Sequence, residues 1–337
     1  MLALAGACSD DDPPAPEHVC AGASALDATT ALRGGSLPPK TLALTFDDGP
    51  GARTLELSAW LRDQGIHAAF FVNGKNCWNA AVLPQLIADG HVVANHTQNH
   101  KSLTGRSTTG VRPSDWTIVD EVTETDTLIA PFVTNDRFMF RPPYGDFDGQ
   151  TQTTLASTPM SKYVGPILWD IGDHMGPHQA VDWDCWQPGN DGKVYTVQQC
   201  GDLYHDEIRA VGKGIVLMHD LYFIDNDPTH GGTVDMVKYL VPQLRDEGYS
   251  FVRVDEVPEI AALLPPLPAP PPPSEADASA PTPASTNATP PATPASSSTS
   301  APPTLAAPVS SASGTKPSPC LPSPHGSTTK TSPSAAK

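Results

Sequence analysis

The chain has 337 residues, 38 of them Pro, with 37 acidic against 20 basic side chains for a formal net charge of -17. That charge argues against nucleic acid and anionic lipid surfaces as partners, since both demand a positive footprint, and a neutral substrate fits better. After about Pro265 the sequence is almost wholly Pro, Ala, Ser and Thr, a composition that cannot bury enough apolar surface to offset its ordering entropy. The length is therefore read as a start and N-terminal arm over 1–37, one domain over 38–260, and a disordered Pro/Ala/Ser/Thr-rich tail over 261–337.

Met1 to Cys8 is a run of small and apolar residues ending in a cysteine, followed by Ser9-Asp10-Asp11-Asp12. It resembles the end of a bacterial lipoprotein signal, although a positively charged start is missing. On that reading Cys8 is acylated and the protein is exported to the bacterial cell envelope, periplasmic or at the cell surface. The lipid would be its sole membrane anchor, because no second stretch is long and apolar enough to span a bilayer. Cys185 and Cys200 bracket a Gly/Asp-rich loop and are the expected disulfide, Cys20 with Cys77 would tie the arm to the domain, and Cys320 is left over.

In chain order, the apolar run Thr41-Leu42-Ala43-Leu44 reads as a buried strand. It leads into Thr45-Phe46-Asp47-Asp48-Gly49-Pro50, an acidic corner closed by a Gly-Pro turn. Apolar spacing over Leu55 to Arg62 predicts a helix ended by Gly65; Ala68 to Val72 reads as a strand, and Asn79 to Ala88 as a helix closed by Gly90. The strand His91 to Ala94 leads into Asn95-His96-Thr97-Gln98-Asn99-His100. A helix from about Val119 to Ala130 precedes the strand Phe138-Met139-Phe140, which runs into Arg141-Pro142-Pro143-Tyr144-Gly145. Ile167-Leu168-Trp169 is another strand, Leu203 to Val211 a helix, and Gly214 to Met218 a strand ending at His219-Asp220. Val234 to Asp246 is a helix and Tyr249 to Val254 the last strand. Strands separated by helices imply an α/β fold with a parallel sheet, and the number of strands in one domain suggests a barrel.

Asp47 and Asp48, His96 and His100, Arg141 and His219 all fall just past the last apolar residue of a predicted strand, the rim on which barrel enzymes place their chemistry. On a helical turn, the spacing of His96 and His100 sets both imidazoles on one side, within reach of a single ion. A carboxylate from another strand end makes three ligands. Two His with one Asp leave an open position for water, the catalytic rather than the structural zinc pattern. Such an ion brings the water's pKa to roughly 7.

Four stretches, Thr45 to Pro50, Asn95 to His100, Arg141 to Gly145 and Leu217-Met218-His219-Asp220, resemble in order four motifs of the polysaccharide deacetylase family, the NodB-homology domain of carbohydrate esterase family 4. The resemblance covers residues 40–255 and implies a distorted (β/α) barrel with fewer strands than a TIM barrel. It also implies metal-dependent removal of acetyl groups from N-acetylated sugars in polymers such as peptidoglycan or chitin. Carried over by position, it makes Asp47 the general base and gives Asp48, His96 and His100 a divalent metal, with zinc the expected ion. Arg141 would pair with Asp47, His219 would be the general acid, Tyr144 would lend its backbone N–H to the oxyanion, Pro142 would contact the substrate, and Leu217 would line the acetyl-methyl pocket.

One motif departs from the family pattern. The family's Asp-x-x-Asp-Trp run, whose aspartate supports the acid histidine, begins here as Trp169-Asp170-Ile171-Gly172, but the Asp-Trp pair comes only at Asp182-Trp183, after an insertion containing His174 and His178. Asp182 is assigned the supporting role, with Asp170 and Asp173 as rivals, and His174 and His178 are read as loop residues. Trp183 and Trp186 are read as sugar-stacking platforms or buried anchors. Two other functions compete: an esterase of the same fold acting on O-acetyl groups, as on xylan, and an inactive glycan-binding lipoprotein. Nothing in the tail names a protein partner.

Overall fold

Alternation along the first strand sets the architecture. Leu42, Leu44 and Phe46 fall on one face and Ala43, Thr45 and Asp47 on the other, and every residue from Thr41 to Asp47 is buried. A strand covered on both faces needs a layer on each side. The computed structural model describes residues 25–76, 81–173, 180–188 and 193–268. Cys8, Cys20, Cys77, His174, His178, Cys320, the start of the helix expected from Asn79 and the tail beyond 268 lie outside the described residues.

The elements are β1 (Thr41–Asp47), α1 (Thr54–Asp63), β2 (Ala69–Val72), α2 (Val82–Ala88), β3 (Val92–Asn95), α3 (Asp115–Ile129), α4 (Gly149–Ala156), α5 (Asp182–Cys185), α6 (Val197–Val211), β4 (Gly214–His219), α7 (Thr233–Asp246), β5 (Ser250–Phe251) and α8 (Pro258–Ala261). Two helices start earlier than the apolar spacing predicts, because polar caps begin them. Ser114 accepts from the Thr117 N–H ahead of α3, and Thr196 with Gln199 forms a reciprocal capping box ahead of α6.

The strands pair in the order β3-β2-β1-β4, all parallel, with β5 beside the N-terminal end of β1. Hydrogen bonds carry the ring onward where regular strands stop. Asn95 N donates to Met139 O at 2.9 Å, Phe140 N to Val164 O at 2.9 Å, and Leu217 N to Ile171 O at 2.9 Å. Residues 164–171 thereby close a distorted (β/α) barrel between Phe140 and β4. The expected strands Phe138–Phe140 and Ile167–Trp169 are single bridges instead, since Pro142 and Pro166 have no N–H with which to extend a ladder. The last strand is shorter than expected because a 3-10 turn takes over at Val254.

Two apolar layers follow from the alternation. Leu42, Leu44 and Phe46 pack against Leu57 and Leu61 of α1, Tyr204 and Ile208 of α6, and Leu240 and Leu244 of α7. On the inner side Ala43, Phe71, Ala94, Met139, Ile167 and Leu217 fill the barrel. Ahead of β1, Leu26, Leu32 and Leu37 are buried, and Leu26 and Leu32 bridge to Gly165 and Ile167.

The Cys185–Cys200 disulfide is present, joining α5 to α6 across a separation of 15 residues. Glu207, fully buried on α6, accepts from the N–H groups of Gly172 and Ala180 and so ties the same region to the helix. Trp186 is fully buried, its indole N–H donating to Thr233 Oγ1 at 3.0 Å, so of its two expected roles it takes that of an anchor. Replacing both cysteines by Ala is expected to cost about 3 kcal/mol of unfolding free energy, the loop-entropy value for a bridge of this span. Urea unfolding checks it, and a loss below about 1 kcal/mol would assign the order of this region to Glu207 and Trp186 instead.

Candidate active site

Asp47 closes β1 on the inward face, and its register partner on β4 is His219. Beneath it lies Arg141, fully buried, whose NH1 donates to Asp47 Oδ1 at 2.6 Å and to Thr45 Oγ1 at 2.9 Å. Nε donates to the Ile167 carbonyl at 2.9 Å, and the guanidinium stacks 4.0 Å above the Phe71 ring. Burial raises the Asp47 pKa above the ordinary carboxylate value, and the Arg141 charge opposes that rise without cancelling it. Asp47 is thereby a stronger base than an exposed aspartate, with one oxygen held by Arg141.

Three neighbouring groups converge on one point. Asp48 Oδ1 lies 3.5 Å from His96 Nε2 and 3.3 Å from His100 Nε2. His96 Nδ1 is 2.7 Å from the Arg141 carbonyl, which can only accept, so Nδ1 carries the hydrogen and the Nε2 lone pair faces the carboxylate. Burial, then the nearby His100, push the His96 pKa down to about 3, and burial lowers that of His100, so both rings are neutral at pH 7. Asp48 Oδ1 is buried with no hydrogen-bond partner. Lone pairs facing lone pairs around an orphaned carboxylate oxygen fit a cation. Ligand atoms 2.0–2.1 Å from a tetrahedral zinc stand about 3.3 Å apart, close to the separations found here.

The backbone reason for this convergence differs from the expected helical turn. Residues 96–100 are irregular, with Thr97 at φ 66° and His100 at φ 57°, so two left-handed residues rather than a helix bring the imidazoles together. Asp48 at φ 68° and Tyr144 at φ 60° share that conformation. Each costs on the order of 1–3 kcal/mol and persists only where the surroundings over-determine it. Gly49, next to Asp48, packs so tightly on the Asp220 carboxyl that a Cβ would overlap it. Asp220 is itself fully buried, takes a hydrogen bond from the Thr54 hydroxyl, and is raised by burial to about 7. Its one sequence signal is its place directly after His219, and it pins the turn that carries Asp48.

Opposite the three-residue cluster, His219 Nδ1 lies 2.8 Å from Asp182 Oδ1. The Asp182 carboxylate, fully buried, also accepts from the His219 N–H at 2.6 Å, the Thr233 hydroxyl at 2.7 Å and the Trp183 N–H at 3.0 Å. Burial alone would lower the His219 pKa; the Asp182 charge and hydrogen bond outweigh it, and the imidazole is raised to about 9. Among the three candidate aspartates, Asp182 is the one that reaches His219. Asp170 instead accepts from the N–H groups of Gly34 and Ile215, each at 2.8 Å, and locks the sheet.

Asp47, Asp48, His96, His100 and His219 line a cavity of about 310 Å³ together with Tyr144, Trp169, Asp173, Trp183, Leu217 and Tyr222. Tyr144 is 47% and Trp183 41% exposed, at the mouth, whereas Leu217 is buried in the wall. Pro142 is buried, its carbonyl accepting from Gly145 N–H at 3.0 Å, and does not line the cavity. Tyr222 escaped the sequence analysis. Its one signal was its place three residues beyond His219, in the same corner past a strand end. Burial and the Asp48 charge push its phenol well above the usual range, which keeps it a donor, and the hydroxyl donates to Asp48 Oδ2 at 3.3 Å. A broader concavity of about 900 Å³ beside Arg53, Thr196 and His230 contains none of the candidate residues.

The family model described as polysaccharide deacetylase matches residues 34–163. A chitin deacetylase from Pestalotiopsis sp is 34% identical over 122 residues, 35% of this chain and 38% of that protein. The peptidoglycan-N-acetylglucosamine deacetylase PgdA of Listeria monocytogenes is 27% identical over 220 residues, 65% of this chain and 39% of its own length. The chain thus spans about two fifths of the length of these two relatives. The structure of the chitin deacetylase from Colletotrichum lindemuthianum superposes with a TM-score of 0.51 at 24% identity, covering 69% of this chain and 92% of that one, a likeness of fold.

Proposed function

We propose that the chain is a member of the polysaccharide deacetylase family, a metal-dependent hydrolase that removes N-acetyl groups from an N-acetylglucosamine polymer of the peptidoglycan or chitin type. The observation that carries this reading is the convergence of Asp48 Oδ1, His96 Nε2 and His100 Nε2 between two buried pairs, Asp47–Arg141 and His219–Asp182. One pair offers a carboxylate that can accept a proton and the other an imidazole that can give one, the two roles an acid–base hydrolysis needs.

In the proposed mechanism Asp48, His96 and His100 would hold a divalent ion, with zinc the expected species for two imidazoles and one carboxylate. Such an ion would supply Lewis acidity for the acetyl carbonyl and the attacking water. Asp47, kept ionised and aimed by Arg141, takes a proton from that water as the water oxygen bonds to the carbonyl carbon. The Tyr144 backbone N–H receives the developing oxyanion. His219, protonated at neutral pH, gives its proton to the sugar nitrogen as the carbon–nitrogen bond breaks, releasing acetate and a free amine. Leu217 bounds the acetyl methyl, and Trp183 and Tyr144 offer ring faces to the sugar at the mouth.

We place the protein in the bacterial cell envelope, where such polymers lie, with a lipid on Cys8 as its anchor. The disulfide fits an oxidising compartment, and among the described residues no helix is long and apolar enough to cross a membrane. The test is acetate release from chitooligosaccharides, peptidoglycan and acetylated xylan in parallel, with and without chelator. We expect chelator-sensitive release from the N-acetylglucosamine substrates, restored by added zinc. Full activity after metal removal overturns the mechanism, and release from xylan alone makes the protein an O-acetyl esterase.

A further inference from the structure

Asp48 presents two oxygens to the site, and the structure treats them differently. Oδ1 is the oxygen near both imidazoles, and it is buried without a hydrogen-bond partner. Oδ2 accepts from the Tyr222 hydroxyl at 3.3 Å, a long hydrogen bond, and among the described residues no other donor reaches this carboxylate. The Tyr222 ring is held in place by an edge contact with His219, with centroids 5.4 Å apart, and lines the cavity. The end of β4 therefore carries His219 and, three residues on, the chain beyond it carries a hydroxyl that touches Asp48 across the site.

A carboxylate can grip a cation through one oxygen or through both. A donor on the second oxygen favours the one-oxygen mode, which with two imidazoles leaves the fourth position of a tetrahedral ion open for water. We propose that Tyr222 is a positioning residue that holds Asp48 as a one-oxygen ligand and so sets both the affinity of the site for a divalent cation and the number of positions left open. The inference rests on the reading of Asp48, His96 and His100 as the cation's ligands.

The test titrates Co2+ into the metal-free full chain, wild type and Tyr222→Phe, and follows binding by calorimetry and coordination by the visible absorption band. Phe keeps the ring against His219 and removes the hydroxyl alone. Loss of a group that orients a ligand typically costs about 10–100-fold in metal affinity. The expected result is cation binding at least about tenfold weaker, or about 1.4 kcal/mol, together with a weaker band as Asp48 turns to bring in its second oxygen. An affinity within threefold of wild type, or an unchanged band, overturns the proposal. A wild-type protein that takes up no cation overturns the metal reading itself, whereas normal uptake with an unchanged Tyr222→Phe variant overturns the role of Tyr222 alone.

Discussion

Asp47→Asn is expected to lower kcat/KM for deacetylation by about 10³-fold while the protein still binds one divalent ion. Asn keeps an oxygen that can accept from Arg141 but cannot take a proton from water. The ion should stay because its proposed ligands, Asp48, His96 and His100, are untouched. The substitution has a second cost, which must be separated from the first. Arg141 is fully buried, and Asp47 is the carboxylate it pairs with. Breaking a buried pair on one side typically costs about 3–5 kcal/mol. Here the bonds from Arg141 to Thr45, Ile167 and Leu168 and the stack on Phe71 remain, which puts the expected loss near the lower bound. Rates are therefore compared under conditions where circular dichroism shows the variant folded. More than a tenth of the wild-type rate in folded, metal-loaded Asp47→Asn would remove Asp47 from the role of base. The pH profile adds a second readout: a base that must be ionised gives an acid limb, and Asp47→Asn should abolish it.

Where β2, β3 and β4 lie could be read from sequence within a residue, because strands buried on both faces are largely continuous apolar runs, whereas β1 continues three residues past the run Thr41 to Leu44 and takes in Thr45 and Asp47. Residues just past those runs, Asp48, His96, His100 and His219, were brought together by the same logic, since parallel strands bring their carboxyl ends to one rim. The closing segment was not legible. Residues 164–171 hydrogen bond first to Phe140 and then to β4, and such a switch of partner leaves no period in the sequence. Helix α4 was missed because Gln, Thr and Gly dominate it and only Thr151 and Leu155 are buried, so Asp148 as its cap was the one available signal. The choice among Asp170, Asp173 and Asp182 depends on tertiary placement, and the insertion before Asp182 broke the spacing that would have decided it. The right spacing of His96 and His100 was read with the wrong cause, a helix in place of two left-handed residues.

Asp182→Asn should move the alkaline limb of the rate profile down by about 1–3 pH units, the range over which one adjacent opposite charge shifts an ionisable group. In wild type, burial draws the His219 pKa down and Asp182 reverses it to about 9, so the imidazole is protonated across neutral pH. Without the carboxylate, burial is opposed only by the weaker influence of Asp48 and Asp47, and the protonated fraction at pH 8 falls from about nine-tenths to about a half for one unit lost and to about a tenth for two. The hydrogen bonds add to this. Asp182 Oδ1 accepts from His219 Nδ1 and Trp183 N–H, and Oδ2 from His219 N–H and the Thr233 hydroxyl. An amide accepts through one oxygen only, so either flip sets its NH2 against donors, at a cost on the order of 1–3 kcal/mol for a buried donor left unpaired. Stability should carry the same signature. A histidine whose pKa rises on folding stabilises the fold fully below its unfolded value near 6.5, and that contribution is lost as pH rises through the folded value of about 9. Wild type should therefore lose unfolding free energy between pH 6.5 and 9 in urea titrations, and Asp182→Asn should lose less over the same window. An alkaline limb left in place, with a stability curve parallel to wild type, would detach Asp182 from the titration of His219 and leave the proposed acid without its support.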